Sequence, residues 1–101
     1  MNLIEQNMEK IKTLCAVHKV ARLFAFGSVL KENVFNKESD IDLIVDFADV
    51  SLFEYADNYF DMKQKLEKIF NRDVDLLEEK AIRNPYLRQE IDRENILIYG
   101  Y

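Results

Sequence analysis

Leu23-Phe24-Ala25-Phe26-Gly27-Ser28, followed by Ser39-Asp40-Ile41-Asp42-Leu43, is the stretch that decides how this chain is read. The four apolar residues are continuous enough to form a buried strand, and the glycine that ends them permits a tight turn or a close backbone approach to a ligand. Ser28 then falls at a strand-to-helix turn, where a hydroxyl and free backbone N–H groups can meet an anion. Asp40 and Asp42 open a second apolar segment, Ile41 to Phe47. On a strand, residues i and i+2 share a face, so both carboxylates point one way while Ile41 and Leu43 turn to the other. Two acids held this close need a counter-charge, a shared proton or solvent. Mg²⁺ suits them, because it takes one or two carboxylates together with waters and substrate phosphates. An isolated Asp-x-Asp is ordinarily a polar strand edge; Gly27-Ser28 upstream sets this one apart.

A third acidic strand lies further along. Asp73-Val74-Asp75-Leu76-Leu77 reads as a strand in which Asp73 stands at the start and Asp75 sits between Val74 and Leu76. A carboxylate inside an apolar strand is costly unless paired or metal-bound, which makes Asp75 the stronger site candidate. The elements between these motifs are helical. Ile4, Met8, Ile11, Leu14, Cys15 and His18 fall on one face, predicting an amphipathic helix from Asn2 to about His18. His18, the only histidine, reads as a carbonyl cap or a side chain snorkelling to solvent rather than a catalytic base. Ser51 and Glu54 match a capping box, and Leu52, Tyr55, Ala56, Tyr59, Met62, Leu66 and Ile69 then repeat at helical spacing as core. Asn71-Arg72 ends that helix, Asn84-Pro85 starts another with Leu87 and Ile91 inward, and Ile96 to Tyr99 reads as a short edge strand. Between Ser28 and Asp40, a polar loop carries Lys31 and Lys37 around the anchor Val34-Phe35, where triphosphate oxygens could pass.

Composition narrows the function. The 101 residues fit one domain with a modest core, and 49% hydrophobic with 33% charged residues is a folded, globular balance. A net charge of −5 disfavours DNA or RNA as a partner, since nucleic-acid binding needs a basic footprint. The single cysteine, Cys15, excludes an internal disulfide, fits a reducing cytoplasmic setting and reads as a helix-packing residue. No apolar stretch reaches transmembrane length, so no membrane is expected.

Gly27-Ser28, Asp40-Ile41-Asp42 and the later Asp75, spread over strand-helix alternation along essentially the whole chain, resemble the minimal nucleotidyltransferases of the polymerase β-like superfamily. The resemblance implies an α+β nucleotidyltransferase fold, a small mixed β-sheet flanked by helices, with residues 1–101 as a single minimal domain. It also implies two-metal chemistry. Asp40, Asp42 and Asp75 are the catalytic residues and the ligands of two Mg²⁺ ions, while Gly27 and Ser28 hold the phosphates of a nucleoside triphosphate, ATP as donor. No protein nucleophile is required, in keeping with the lack of a Cys/His or Ser/His/Asp constellation. Many members have a small residue, an Arg and a Gly soon after the Ser; this chain has Leu30-Lys31-Glu32, a departure that bears on phosphate contacts. Small stand-alone members are commonly encoded beside a helical HEPN-type toxin and act as its antitoxin by transferring AMP to one of its tyrosines. The resemblance therefore implies a HEPN-type partner, a hetero-oligomer, and a protein hydroxyl as acceptor. The acidic net charge suits a basic protein better than RNA. Arg83, Tyr86 and Arg88 are secondary candidates for the nucleotide pocket or partner surface. The alternative is a non-catalytic module of the same fold that neutralises a partner by contact; loss of a carboxylate would favour it, and all three are present.

Overall fold

The computed structural model of the chain describes residues 2–27 and 40–100. Chain order is α1 (Asn2–Gln6), α2 (Met8–Val17), β1 (Val20–Phe26), β2 (Ile41–Phe47), α3 (Leu52–Phe70), β3 (Val74–Glu78), a 3₁₀ turn (Glu79–Ala81), α4 (Pro85–Arg93) and β4 (Asn95–Tyr99). The four strands form one mixed sheet in the order β3-β2-β1-β4. β1 runs antiparallel to both β2 and β4, while β2 and β3 are parallel, joined by the crossover helix α3. This is the α+β arrangement of a small mixed sheet with helices that the nucleotidyltransferase resemblance implied.

Strand alternation divides the sheet into two unlike faces. Ile41, Leu43, Val45 and Phe47 of β2, Leu23 and Ala25 of β1, and Val74 and Leu76 of β3 pack with α1, α2 and α3 into the main core. A register shift between Val20 and Arg22 lets Val20 join the same cluster despite its odd spacing from Leu23. The opposite face holds a smaller cluster of Phe26, Ile44 and Ile91, with Phe24, Leu77, Ile82 and Leu87 against it. Asp42 and Asp46 of β2 alternate with Ile44 and so belong to this second face.

The helices follow the apolar periodicity with three corrections. The predicted N-terminal helix is two, because Asn7 leaves helical geometry at φ −111°, ψ 13° and turns its side-chain amide back to the Leu3 carbonyl at 2.8 Å. Such local bonding is what makes Asn a poor helix-interior residue. In α3, Met62, Leu66 and Phe70 are buried and Tyr55, Tyr59 and Ile69 half-buried as expected, but Leu52 is 92% exposed and Ala56 is exposed too. The capping box at its start does not form. Ser51 makes no side-chain cap bond, and Glu54 reaches Lys19 instead, 3.8 Å away. Asn84 does cap α4, accepting from the N–H groups of Tyr86 (2.9 Å) and Leu87 (3.3 Å) ahead of Pro85 at the first turn.

His18 ends α2 and is buried rather than snorkelled. Its ring nitrogens lie 2.8 Å from the Leu14 carbonyl oxygen and 2.7 Å from Asp61 Oδ2, tying the end of α2 to α3. Cys15, three positions earlier, is fully buried, and burial pushes its thiol up to about 12, which makes it an inert packing residue. Among the described residues, no helix is long and apolar enough to cross a membrane.

Candidate active site

The carboxylates gather where β1 ends and where β2 and β3 begin. Ile41 N–H donates to the Asp73 carbonyl at 3.1 Å and sets the parallel register, which places Asp42 directly beside Asp75. Glu67, near the end of α3, accepts from Val74 N–H at 3.1 Å and anchors the start of β3. That backbone bond, with Lys63 at 3.2 Å, holds the Glu67 carboxyl below the usual carboxylate range. On the other side of β2, Asp42 pairs with Phe26, and Phe26 in turn pairs with Asn95. One row across the second face therefore reads Asp75, Asp42, Phe26, Asn95.

Gly27 follows Phe26 at φ +74°, and a Cβ built there would stand 2.6 Å from Asp42 Oδ2. Both facts call for glycine: the dihedral is unfavourable for L side chains, and the space is already taken by the carboxylate. Asp42 is half-buried, and its carboxyl is pushed up to about 6, first by desolvation, then by the charges of Asp75 and Asp40. The ion pairs of the described residues lie elsewhere. Asp46 takes Arg22 and Lys80, Asp61 takes His18 and Lys65, and Glu79 takes Arg22 and Arg88.

The sequence candidates thus separate. Asp42, Asp75 and Gly27 come together; Asp40 stands immediately before β2, exposed, and close enough for its charge to act on Asp42. Asp75 is exposed rather than held in an apolar interior, because β3 is an edge strand and the second face is open beside it. Ser28, Lys31, Val34, Phe35 and Lys37 lie outside the described residues. Among the described residues, no group of three or more His, Cys, Asp or Glu side chains is gathered tightly enough to hold a metal ion. The donor chemistry nevertheless fits a hard divalent cation: the side chains are all oxygen donors, and Asp42 is desolvated among like charges with no basic partner among the described residues. Of the secondary candidates, Tyr86 is 79% exposed and Arg88 is drawn to Asp92 (3.2 Å) and Glu79 (3.9 Å).

One feature of this face was missed in the sequence. Arg22 donates to Asp46 Oδ2 at 3.0 Å across the β1–β2 ladder, and Lys80, Glu79 and Arg88 extend the pair into a chain of ion pairs at the far end from Asp42. Its signal was present in the alternation Arg22, Phe24, Phe26 against Asp42, Ile44, Asp46, which puts all six on one face.

The chain matches the family described as "Polymerase beta, Nucleotidyltransferase" over residues 9–101. It is 34% identical over 87 residues to "Putative protein adenylyltransferase MJ1379" of Methanocaldococcus jannaschii, covering 86% of this chain and 85% of that one. Its fold is similar to a solved structure described as "putative minimal nucleotidyltransferase", with a TM-score of 0.74 and 31% identity over 95% of each chain. It is also similar, at TM-score 0.70 and 26% identity, to a chain of a toxin–antitoxin crystal structure with AMP-PNP, over 94% of this chain and 74% of that one. At 24% identity the likeness is of fold alone to a chain from a complex of a tri-AMPylated Shewanella oneidensis HEPN toxin with its MNT antitoxin, with a TM-score of 0.64 over 96% of this chain and 72% of that one.

Proposed function

From the premise that this chain belongs to the polymerase beta nucleotidyltransferase family and is a nucleotidyltransferase, we propose that it moves AMP from ATP to a tyrosine hydroxyl of a cognate HEPN-type toxin, acting as its antitoxin. The observation that carries the reading is Asp42: desolvated, set beside Asp75 by strand register, and seated against a glycine that leaves no room for a side chain. Relatives named for protein adenylylation, and a similar toxin–antitoxin structure with an ATP analogue, support the donor and the acceptor class. The cytoplasm, rich in ATP and reducing toward a lone thiol, is the compartment proposed for it.

In this reading Asp40, Asp42 and Asp75 would hold two Mg²⁺ ions, which when bound supply the positive charge that offsets the α-phosphoryl and pyrophosphate oxygens in the transition state. Gly27 and Ser28 receive the β- and γ-phosphates at the end of β1. Asp42 gives up the proton that its desolvated site favours, and its ionised form then faces the nucleotide. Asp75, exposed on the edge strand, meets the incoming acceptor from the solvent side. The acceptor oxygen forms a bond to the α-phosphorus as the bond to the β-phosphate oxygen breaks. Pyrophosphate leaves with that electron pair, and the hydroxyl proton passes to solvent.

The test incubates the protein with MgCl₂, α-labelled ATP and the cognate HEPN-type protein, beside Asp42→Asn. Label on the HEPN protein with wild type and none with the variant is the expected result. Equal labelling by the variant would remove Asp42 from the reaction. If neither protein transfers label while both silence the toxin, neutralisation by contact is the function.

A further inference from the structure

The outer surface of the main core carries a feature that nucleotidyl transfer does not use. Between α2 and α3 runs a groove made of two continuous parts of about 600 and about 530 Å³, which share Val17 and His18. On α3 its lining recurs at Glu54, Asp57, Asp61, Lys65 and Lys68, one stripe of the helix about 21 Å long at 1.5 Å per residue. Large apolar side chains stand open to solvent along it, with Val17 68% and Phe60 59% exposed. Leu14 and Ile69 line its other half.

Charge is sorted along this groove. One end has Asp57 and Glu54, the latter also met by Lys19 at 3.8 Å; the other has Lys10 and Lys68 beside Glu9 and stays net positive. In the middle, Asp61 and Lys65 neutralise each other at 2.8 Å. Among the described residues, no ion pair engages Asp57, Lys10 or Lys68. A helix tends to carry acids in its first turn and bases in its last, which complement its own dipole. Laid in this groove with its N-terminus over Lys10 and Lys68, such a helix meets opposite charge at both ends and apolar side chains between.

We propose that the α2–α3 groove docks one amphipathic helix of the protein acceptor, running antiparallel to α3, with acidic residues over Lys10 and Lys68 and basic residues over Glu54 and Asp57. This rests on the proposed protein acceptor and adds where and how it is held. Asp42 and Asp75 lie on the opposite face of the sheet, so the docked helix is not the segment that is modified. Holding the partner and reacting with it are separate acts of two faces.

The test measures the dissociation constant for the cognate HEPN-type protein in wild type and in exposed-residue variants. Phe60→Asp weakens binding at least tenfold, Asp57→Lys and Lys68→Glu about fivefold each, and Lys12→Glu, an exposed α2 position outside the groove, less than twofold; Asp42→Asn binds like wild type, and ATP binding to the groove variants is unchanged. Asp57→Lys and Lys68→Glu alter only exposed side chains, so they decide the matter if Phe60→Asp folds poorly. A complex with wild type that all three groove variants form equally well overturns the groove and leaves the proposed function intact. No complex with wild type overturns the partner and the groove together. A sedimentation equilibrium in which wild type self-associates and Phe60→Asp does not would give the groove to a second copy of this chain and overturn the proposal.

Discussion

Asp42 and Asp46 sit on one strand, on one face of the sheet, four residues apart, yet their surroundings are opposite. Asp46 has Arg22 Nη2 at 3.0 Å and Lys80 Nζ at 3.5 Å, and its side chain is only 12% exposed. Asp42 has Asp75 beside it, Asp40 near it, and the bare backbone of Gly27 against its carboxylate. A buried charge is tolerated when paired, as Asp46 is. Asp42 is left with like charges at some cost to the folded state, and strain of that kind concentrates where a ligand is to supply what is missing. The same residue type on the same strand thus serves the fold at one end and is poised for a ligand at the other.

The largest difference is expected from asparagine at position 42. Asp42→Asn should lower AMP transfer at least a thousandfold, because a carboxylate facing the nucleotide is lost. The metal-free variant should nevertheless melt about 5 °C higher than wild type at pH 7.5, since the desolvation of a charged carboxylate and then the repulsion from Asp75 and Asp40 go with the charge. Labelled transfer and thermal melting in EDTA, run on the same preparation, check both halves. A variant that lost transfer and stability together would mean that Asp42 is a structural residue like Asp46.

Gly27→Ala comes next. The new methyl would stand 2.6 Å from Asp42 Oδ2 at a backbone φ of +74°. The dihedral alone costs about 1–2 kcal/mol, and the carboxylate must move, so transfer should drop about 10–100-fold with a matching loss of melting temperature. Unaltered transfer would show that the Asp42 carboxylate does not need its place against the β1 turn.

The Asp42 end of this contrast is legible in the sequence and the Asp46 end is not, and what the sequence leaves unread shares a cause. The bounds of β2 follow from its apolar run, and the cap of α4 from Asn84-Pro85, because both depend on neighbours in the chain. By its neighbours Asp75 is a carboxylate inside an apolar strand, yet it is exposed, since nothing local says that β3 lies at the sheet edge. His18 meets Asp61, 43 positions away, and Glu54 turns from its expected cap to Lys19; both partners are set by tertiary packing. Leu52 fits the helical stripe by spacing, yet it precedes the part of α3 that covers the sheet and is exposed. The candidate carboxylates were readable from spacing, whereas the register that puts Asp42 beside Asp75 needed the fold.

A smaller effect should appear in the pH dependence of the metal-free protein. The Asp42 carboxyl sits at about 6 in the folded chain against an ordinary value of 3.8. Raising a carboxyl means that the folded state favours its protonated form, so its contribution is fully present below about pH 4 and is lost as pH rises through about 6. Allowing for solvent screening, the loss is on the order of 1–2 kcal/mol. In EDTA the melting temperature should therefore fall by about 5 °C between pH 4 and pH 7.5 through this group. Asp42→Asn should remove that slope, and millimolar Mg²⁺ should flatten it in wild type by offsetting the charge that forms. A slope that persisted in the variant would assign it to another group and leave Asp42 without the desolvation that distinguishes it.

The smallest effect on chemistry is expected from the matching change at the other end of the strand. Asp46→Asn removes the charge that Arg22 and Lys80 share, yet Arg22 keeps Glu79 at 3.4 Å, so the guanidinium is not stranded. Arg22 is 40% exposed and Lys80 81%, which lets water take over part of what is lost. Transfer should stay within about threefold of wild type, while the melting temperature moves down by a few degrees, the reverse of the pattern at position 42. The two ends are separated by about 13 Å of strand, beyond the screening length at physiological salt, so charge removed at Asp46 is little felt at Asp42. If Asp46→Asn instead abolished transfer with its fold intact, the Arg22 network would be part of the reacting face, and the division of β2 into a paired structural end and an unpaired ligand end would fail.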